Sequence, residues 1–354
     1  MSSKEQLIND FDPNGVGHQG NIFGLPFGAE DAEVVLLPVP WEVTVSYNAG
    51  TSDGPEAILN ASTQVDLFVK GINNAWRMGI AMTHIPKEII QENNKYRSLA
   101  IKYIKALEEG KTSDRNPELK VIPKSINEIS EKLNIYVKSE AEKYLKKGKL
   151  VGVVGGDHST PLGLIRALNE KYSSFGILQF DAHADLREAY EGFKYSHASI
   201  MYNALHCENL TKLVQVGVRD CCEQEMEIVK NSKGRIVTFF DEEIKEASFH
   251  GTTWKKMCET IVNQLPEQVY ISFDIDGLDP KYCPNTGTPV PGGLGYDEAV
   301  FLIKVVVASG KKIIGFDLNE VAPGDSEWDG NVGARLLYVL CNWMGVSQKK
   351  LVLE

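Results

Sequence analysis

FGILQFDAHAD, residues 175–185, places an apolar run, Phe175–Phe180, directly before three polar groups, Asp181, His183 and Asp185. A short continuous apolar run reads as a strand buried on both faces, the pattern of a parallel sheet covered by helices. Similar runs occur at Val34–Val39, Leu150–Val154, Leu213–Val218, Ile236–Phe239, Val269–Phe273 and Ile313–Phe316. Between them, Pro161–Lys171 and Asp297–Ser309 have the apolar spacing of crossover helices, and Ile126–Lys147 that of a longer amphipathic helix. The predicted architecture is α/β, a three-layer α-β-α sandwich with a mainly parallel sheet. No repeat or low-complexity linker divides the sequence, so one domain over 1–354 is expected. The polar stretch 87–123 reads as an insertion with a helix around Tyr96–Glu109, a loop through Thr112–Pro117 and a solvated charged face.

Composition agrees with an enzyme carrying a large core: 354 residues, 43% of them hydrophobic. A formal charge of −11 argues against nucleic acid or an anionic membrane surface as the main partner. The N-terminus opens no apolar signal region, and no stretch approaches the roughly 18 apolar residues that span a bilayer, so a cytoplasmic location is expected. The six cysteines form no CxxC pair, which favours free thiols over disulfides or a zinc knot.

Two further segments repeat the arrangement of strand followed by polar groups. His158 stands in Gly155-Gly156-Asp157-His158-Ser159 after Leu150–Val154, and Asp274 and Asp276 follow Val269–Phe273. In a parallel α/β sheet, ligands bind in the crevice at the carboxyl ends of the strands, so three segments converge on one edge. Side chains alternate in extended backbone, so Asp181, His183 and Asp185 are expected on one face, as are Asp274 and Asp276. Gly155, Gly156 and Gly277 are expected to allow tight turns there. Four carboxylates and two imidazoles are enough for two divalent ions, and the mixed donors suit Mn²⁺ better than Ca²⁺ or a structural zinc. Caps and turns would account for one such segment, hardly for three. Carboxylates so crowded repel one another unless cations or protons neutralise them.

GGDHS, DAHxD and SxDxDxxDP resemble the ureohydrolase family, which comprises arginases, agmatinases and related guanidino or formimino hydrolases. The likeness extends from Pro38-Val39-Pro40-Trp41 through Gly50–Ile58 to Gly315–Pro323. It implies a dinuclear manganese site held by His158, Asp181, His183, Asp185, Asp274 and Asp276, nickel being the alternative metal. The implied reaction is hydrolysis of a small guanidino substrate to urea and an amine, with water activated between two ions. Glu320 resembles the glutamate that binds the guanidinium group. His197, in Ser196-His197-Ala198-Ser199, resembles the loop histidine that shuttles protons, a role suited to a pKa near neutrality. Asp185 is expected to orient the attacking water as well as to hold metal. The family also implies homotrimers or homohexamers.

Substrate choice is less legible. Arginases carry Asn where this sequence has Arg187, and an Asp shortly after the stretch matched here by Gly217-Val218-Arg219-Asp220, which is followed by Cys221 and Cys222. Both differences point away from arginase, and Pro40–Tyr47, Asp185–Phe193 and Ser196–Tyr202 resemble the agmatinase-like branch that includes guanidine hydrolases. In that reading Trp41 and Arg187 line the substrate pocket. Arginase, guanidino-acid and formimidoylglutamate hydrolysis are the alternatives. A single-zinc deacetylase-like enzyme and an inactive binding homologue are the readings from other classes.

Overall fold

A computed structural model describes residues 3–111, 116 and 118–354. Eight strands succeed one another: β1 (Val34–Val39), β2 (Ile80–Met82), β3 (Leu150–Gly155), β4 (Phe175–Phe180), β5 (Leu210–Val218), β6 (Ile236–Phe240), β7 (Gln268–Asp274) and β8 (Lys312–Asn319). They form one sheet in the order β2-β1-β3-β8-β7-β4-β5-β6, and every neighbouring pair is parallel. All seven predicted strands are present. β2 was not expected, because three residues, Ile80–Met82, are too few for an apolar run to stand out.

The sheet separates two cores, and strand alternation assigns side chains to each. Along β1, Val34 and Leu36 enter one core while Val35, Leu37 and Val39 enter the other. Along β4, Leu178 and Phe180 oppose Phe175 and Ile177 in the same way. Helices Gly54–Ser62, Trp254–Val262, Tyr296–Ala308 and Trp328–Ser347 contribute to the first core. Helices Lys87–Glu108, Glu118–Lys146, Leu162–Lys171 and Ile200–Ala204 contribute to the second. The fold is thus a three-layer α-β-α sandwich with an all-parallel sheet.

Helix limits depart from expectation mainly in the polar stretch. The helix expected around Tyr96–Glu109 spans Lys87–Glu108, and the one expected from Ile126 starts at Glu118 and runs through Pro123. Proline usually ends a helical reading because it lacks the N–H and clashes with the preceding turn. The expected loop Thr112–Pro117 falls, Asn116 apart, outside the described residues. Ile89, Ala100, Tyr103, Ile104 and Leu119 are buried in the second core, so this stretch covers the sheet with one face. Its other face carries the charges. A Cβ on Gly163 would stand 2.5 Å from the Asn134 carbonyl, so the Leu162–Lys171 and Glu118–Lys146 helices pack at a distance only glycine allows.

The order of the sheet positions the site. β3, β8, β7 and β4 are consecutive, and their carboxyl ends carry His158, Glu320, Asp274 and Asp181, respectively. Residues far apart in sequence therefore meet along one edge.

Candidate metal centre

His158 is the centre of the first cluster. Its Nδ1 lies 3.0 Å from Asp181 Oδ2, 3.0 Å from Asp185 Oδ2 and 3.3 Å from Asp274 Oδ2, yet it has no hydrogen-bond partner. The other ring nitrogen, Nε2, is 2.8 Å from Ser272 Oγ, and the Ser272 hydroxyl donates to Asp317 Oδ1 at 3.1 Å. With that hydroxyl proton committed, Nε2 carries the ring hydrogen and a neutral His158 turns the bare lone pair of Nδ1 on the carboxylates. A lone pair surrounded by anionic oxygens is repulsive unless a proton or cation lies between them. A histidine whose outer nitrogen donates to a fixed partner is also how proteins orient a metal ligand.

The second cluster shares one residue with the first. His183 Nδ1 is 3.1 Å from Asp276 Oδ2 and 3.5 Å from Asp181 Oδ1. Asp181 thus presents Oδ2 to the His158 group and Oδ1 to the His183 group. The sets His158-Asp181-Asp185 and Asp181-His183-Asp276 each bring their ligand atoms within 4.8 Å of one another. With Asp274 also beside His158, all six predicted ligands lie together, and they would fit two divalent cations.

Local backbone geometry differs from the extended runs expected. Asp185 has φ 55°, a left-handed conformation, which turns the segment and brings Asp185 back to His158. Ile275–Gly277 is a 3₁₀ turn in which Asp274 Oδ1 accepts the Asp276 N–H at 2.9 Å. Gly155, Gly156 and Gly277 do not adopt positive φ. They serve close approach instead: a Cβ on Gly156 would fall 2.0 Å from the Trp41 carbonyl, and one on Gly277 2.6 Å from the Asp181 nitrogen.

The charges resist coexistence without cations. Burial and then the Asp181 charge push Asp185 up to about 7. Burial, followed by the charges of Asp276 and Asp181, raises Asp274 well above the carboxylate range. Burial opposes ionisation of His158 and His183, but their carboxylate neighbours outweigh it and raise both imidazoles well above their usual value. Burial raises Asp181, but the two imidazoles beside it outweigh burial and hold it well below the usual range.

Glu320 begins the segment after β8 and also has a left-handed φ, 64°. Its Oε1 accepts the His158 N–H at 2.8 Å. Burial and the charge of Asp157 raise its pKa well above the ordinary value, so an incoming cation would favour the ionised form. One oxygen thus holds a backbone donor, and an ionised carboxylate with about four acceptor sites keeps capacity for a guanidinium.

A cavity of about 160 Å³ opens beside the cluster, with His183, Asp185, His197, Arg187, Tyr190 and Cys221 among its lining residues and Asp220 and Glu225 also on its wall. His197 lies edge-on to Tyr190, and its Nδ1 is buried without a partner. Burial, then the charges of His183 and His158, push it down to about 3, below the near-neutral value expected, so the imidazole is uncharged. The Arg187 guanidinium lies 4.9 Å from the Tyr190 ring and 3.9 Å from Glu225 Oε2. Trp41 does not line this cavity; it is 1% exposed within the second core, because the chain turns inward against Gly156.

The supporting residues escaped the sequence reading. Gln179 Nε2 donates to Asp181 Oδ2 at 2.7 Å, and Asp317 receives Ser272 and Asn319. Their signal is a polar residue two positions before a ligand on a buried strand, as in Gln179/Asp181 and Ser272/Asp274.

Among the described residues no helix is long and apolar enough to cross a membrane. All six cysteines are free.

Residues 32–341 match the Arginase family. The N(1)-aminopropylagmatine ureohydrolase of Thermus thermophilus is 30% identical over 309 residues, covering 87% of this chain and 89% of that one. The enzyme of the same name from Synechocystis sp. is 29% identical over 324 residues, covering 90% and 92%. Among solved structures, the agmatine ureohydrolase of Thermoplasma volcanium superposes with a TM-score of 0.69 at 23% identity, covering 98% of this chain and 99% of that chain.

Proposed function

Because the chain belongs to the arginase family, we propose that it hydrolyses the guanidino group of an agmatine-like amine, releasing urea and the amine. The observation that carries this reading is the convergence of Asp181, Asp185 and Asp274 on the unpartnered Nδ1 of His158, with Asp181 shared by the His183 group. His158, Asp181, His183, Asp185, Asp274 and Asp276 would hold two ions, Mn²⁺ by the mixed donor set, with Ni²⁺ the alternative. Ions bound there supply activation of water and polarisation of the guanidino carbon.

The protein's own groups do the rest. Asp185 lies at the cavity wall, where its carboxylate can accept a proton from the attacking water and aim it at the substrate. Glu320 orients the planar guanidinium through charge-assisted hydrogen bonds. The proton that Asp185 takes from the water is the one the leaving nitrogen needs, and His197, neutral at the cavity wall, relays it there so that the nitrogen departs as the amine. Two overlapping donor sets favour this reading over a single-zinc deacetylase. We further infer a cytoplasmic homotrimer or homohexamer.

Asp220 on the cavity wall supports a cationic substrate tail. Arg187 would repel such a tail, but Glu225 and Tyr190 offset and occupy its guanidinium. Guanidine itself is the second reading, favoured by a cavity of about 160 Å³, below the roughly 300 Å³ at which ligand pockets usually begin. Urea release is to be measured on agmatine, N(1)-aminopropylagmatine, arginine, a guanidino acid and guanidine. The largest kcat/KM is expected for an amine-tailed substrate. A preference for guanidine selects the second reading, and no urea from any of the five contradicts both.

A further inference from the structure

One row of polar residues crosses the sheet just beneath the ligands. Thr238 on β6 is in register with Gln215 on β5, Gln215 with Gln179 on β4, Gln179 with Ser272 on β7, and Ser272 with Asp317 on β8. Gln215, Gln179, Ser272 and Asp317 are completely buried, each within a strand whose central residues are buried as well. Ser272 and Asp317 already have an account, since they fix the tautomer of His158. The other three residues do not touch the cavity.

Those three are joined in a chain of one direction. The Thr238 hydroxyl donates to Gln215 Oε1 at 2.8 Å. Gln215 Nε2 donates to Gln179 Oε1 at 2.7 Å and to the Ala184 carbonyl at 2.7 Å. Gln179 Nε2 donates to Asp181 Oδ2 at 2.7 Å and reaches the His183 carbonyl at 3.4 Å. A carbonyl only accepts, so Ala184 prevents the Gln215 amide from turning round. Gln215 in turn presents a donor to Gln179, which must then direct its own Nε2 at Asp181. Both hydrogens of the Gln215 amide and its oxygen are engaged, as burial demands.

We propose that Thr238, Gln215 and Gln179 form a positioning relay that keeps the shared carboxylate Asp181 an acceptor and pins residues 183–184 of the ligand loop to the sheet. The relay rests on the reading that Asp181 is shared by two ions. It acts on Oδ2, the oxygen facing the His158 group, and leaves Oδ1 to the His183 group. Partners behind a metal ligand typically change metal affinity or activity by about 10- to 100-fold.

Titration calorimetry of Mn²⁺ into the full-length chelator-stripped protein tests the relay, with the melting temperature before ion addition recorded for each variant. Two ions are expected to bind the parent. Gln215→Leu, which keeps bulk but neither donates nor accepts, is expected to bind about 10- to 100-fold more weakly. Thr238→Val removes only the starting hydroxyl, two strands from Asp181, and should weaken binding to a lesser degree at an unchanged melting temperature, whereas Thr238→Ser should bind as the parent does. That pair decides the matter if Gln215→Leu does not fold. Parental affinity in both Gln215→Leu and Thr238→Val would overturn the relay alone. A parent that binds no pair of ions overturns the dinuclear reading and the relay with it.

Discussion

Asp181→Ala is expected to lose both ions and to release urea more than about 1,000-fold more slowly than the parent. Asp181 gives one oxygen to each donor set, so its loss removes a donor from both. Transition-state stabilisation by bound ions is worth several kcal/mol, and each 1.36 kcal/mol is tenfold in rate. The substitution also leaves the Gln179 amide without its acceptor, at a cost of about 1–3 kcal/mol in stability. Removing one carboxylate relieves repulsion on Asp185 and Asp274, which offsets part of that loss. Metal content per chain and urea release from the same preparation form the measurement. One ion retained with substantial turnover would contradict the sharing of Asp181.

Glu320→Gln is expected to do the opposite: retain both ions and lose turnover. The side-chain oxygen of glutamine can still accept the His158 N–H, which is why it is a cleaner change than alanine. What disappears is the negative charge that a buried guanidinium would meet. Truncating one partner of a buried, hydrogen-bonded charge pair costs about 2–5 kcal/mol. That corresponds to about 30- to 5,000-fold in kcat/KM. Neutralising Glu320 also removes one of the carboxylate charges acting on Asp274, so metal affinity is not expected to rise. Full activity with two ions bound would remove Glu320 from substrate recognition, and loss of the ions would make it a structural support of His158.

The two proposals separate because the ligands and Glu320 come from different strand ends with different duties. His158, Asp181, Asp185 and Asp274 were legible as a set because each follows an apolar run, and parallel strands deliver their carboxyl ends to one edge. How they meet was not legible. Asp185 reaches His158 through a left-handed turn, and Asp274 caps a 3₁₀ turn, whereas alternation along straight strands suggested a simpler face. Nor could Gln215 and Thr238 be connected with Asp181 from sequence, since only the register of β4, β5 and β6 brings them into one row.

Environment was harder still to read than position. His197 was identified by its motif, but its pKa depends on burial and on neighbouring imidazoles contributed by other segments. Trp41 stood in a motif near the site, yet its close approach to Gly156 belongs to the core beneath rather than to the cavity. The stretch 87–123 looked polar because only one face of each helix is apolar, and that face covers the second core. Pro123 hid the helix that runs through it. β2 is so short that its place became apparent only from its pairing with β1.

The most direct test of the dinuclear account is chelation followed by stepwise return of Mn²⁺, with urea release from the preferred substrate measured at each step. Activity is expected to vanish on chelation and to return fully only as two ions per chain are bound. Full activity in demonstrably metal-free protein, or full recovery with one ion per chain, would contradict it.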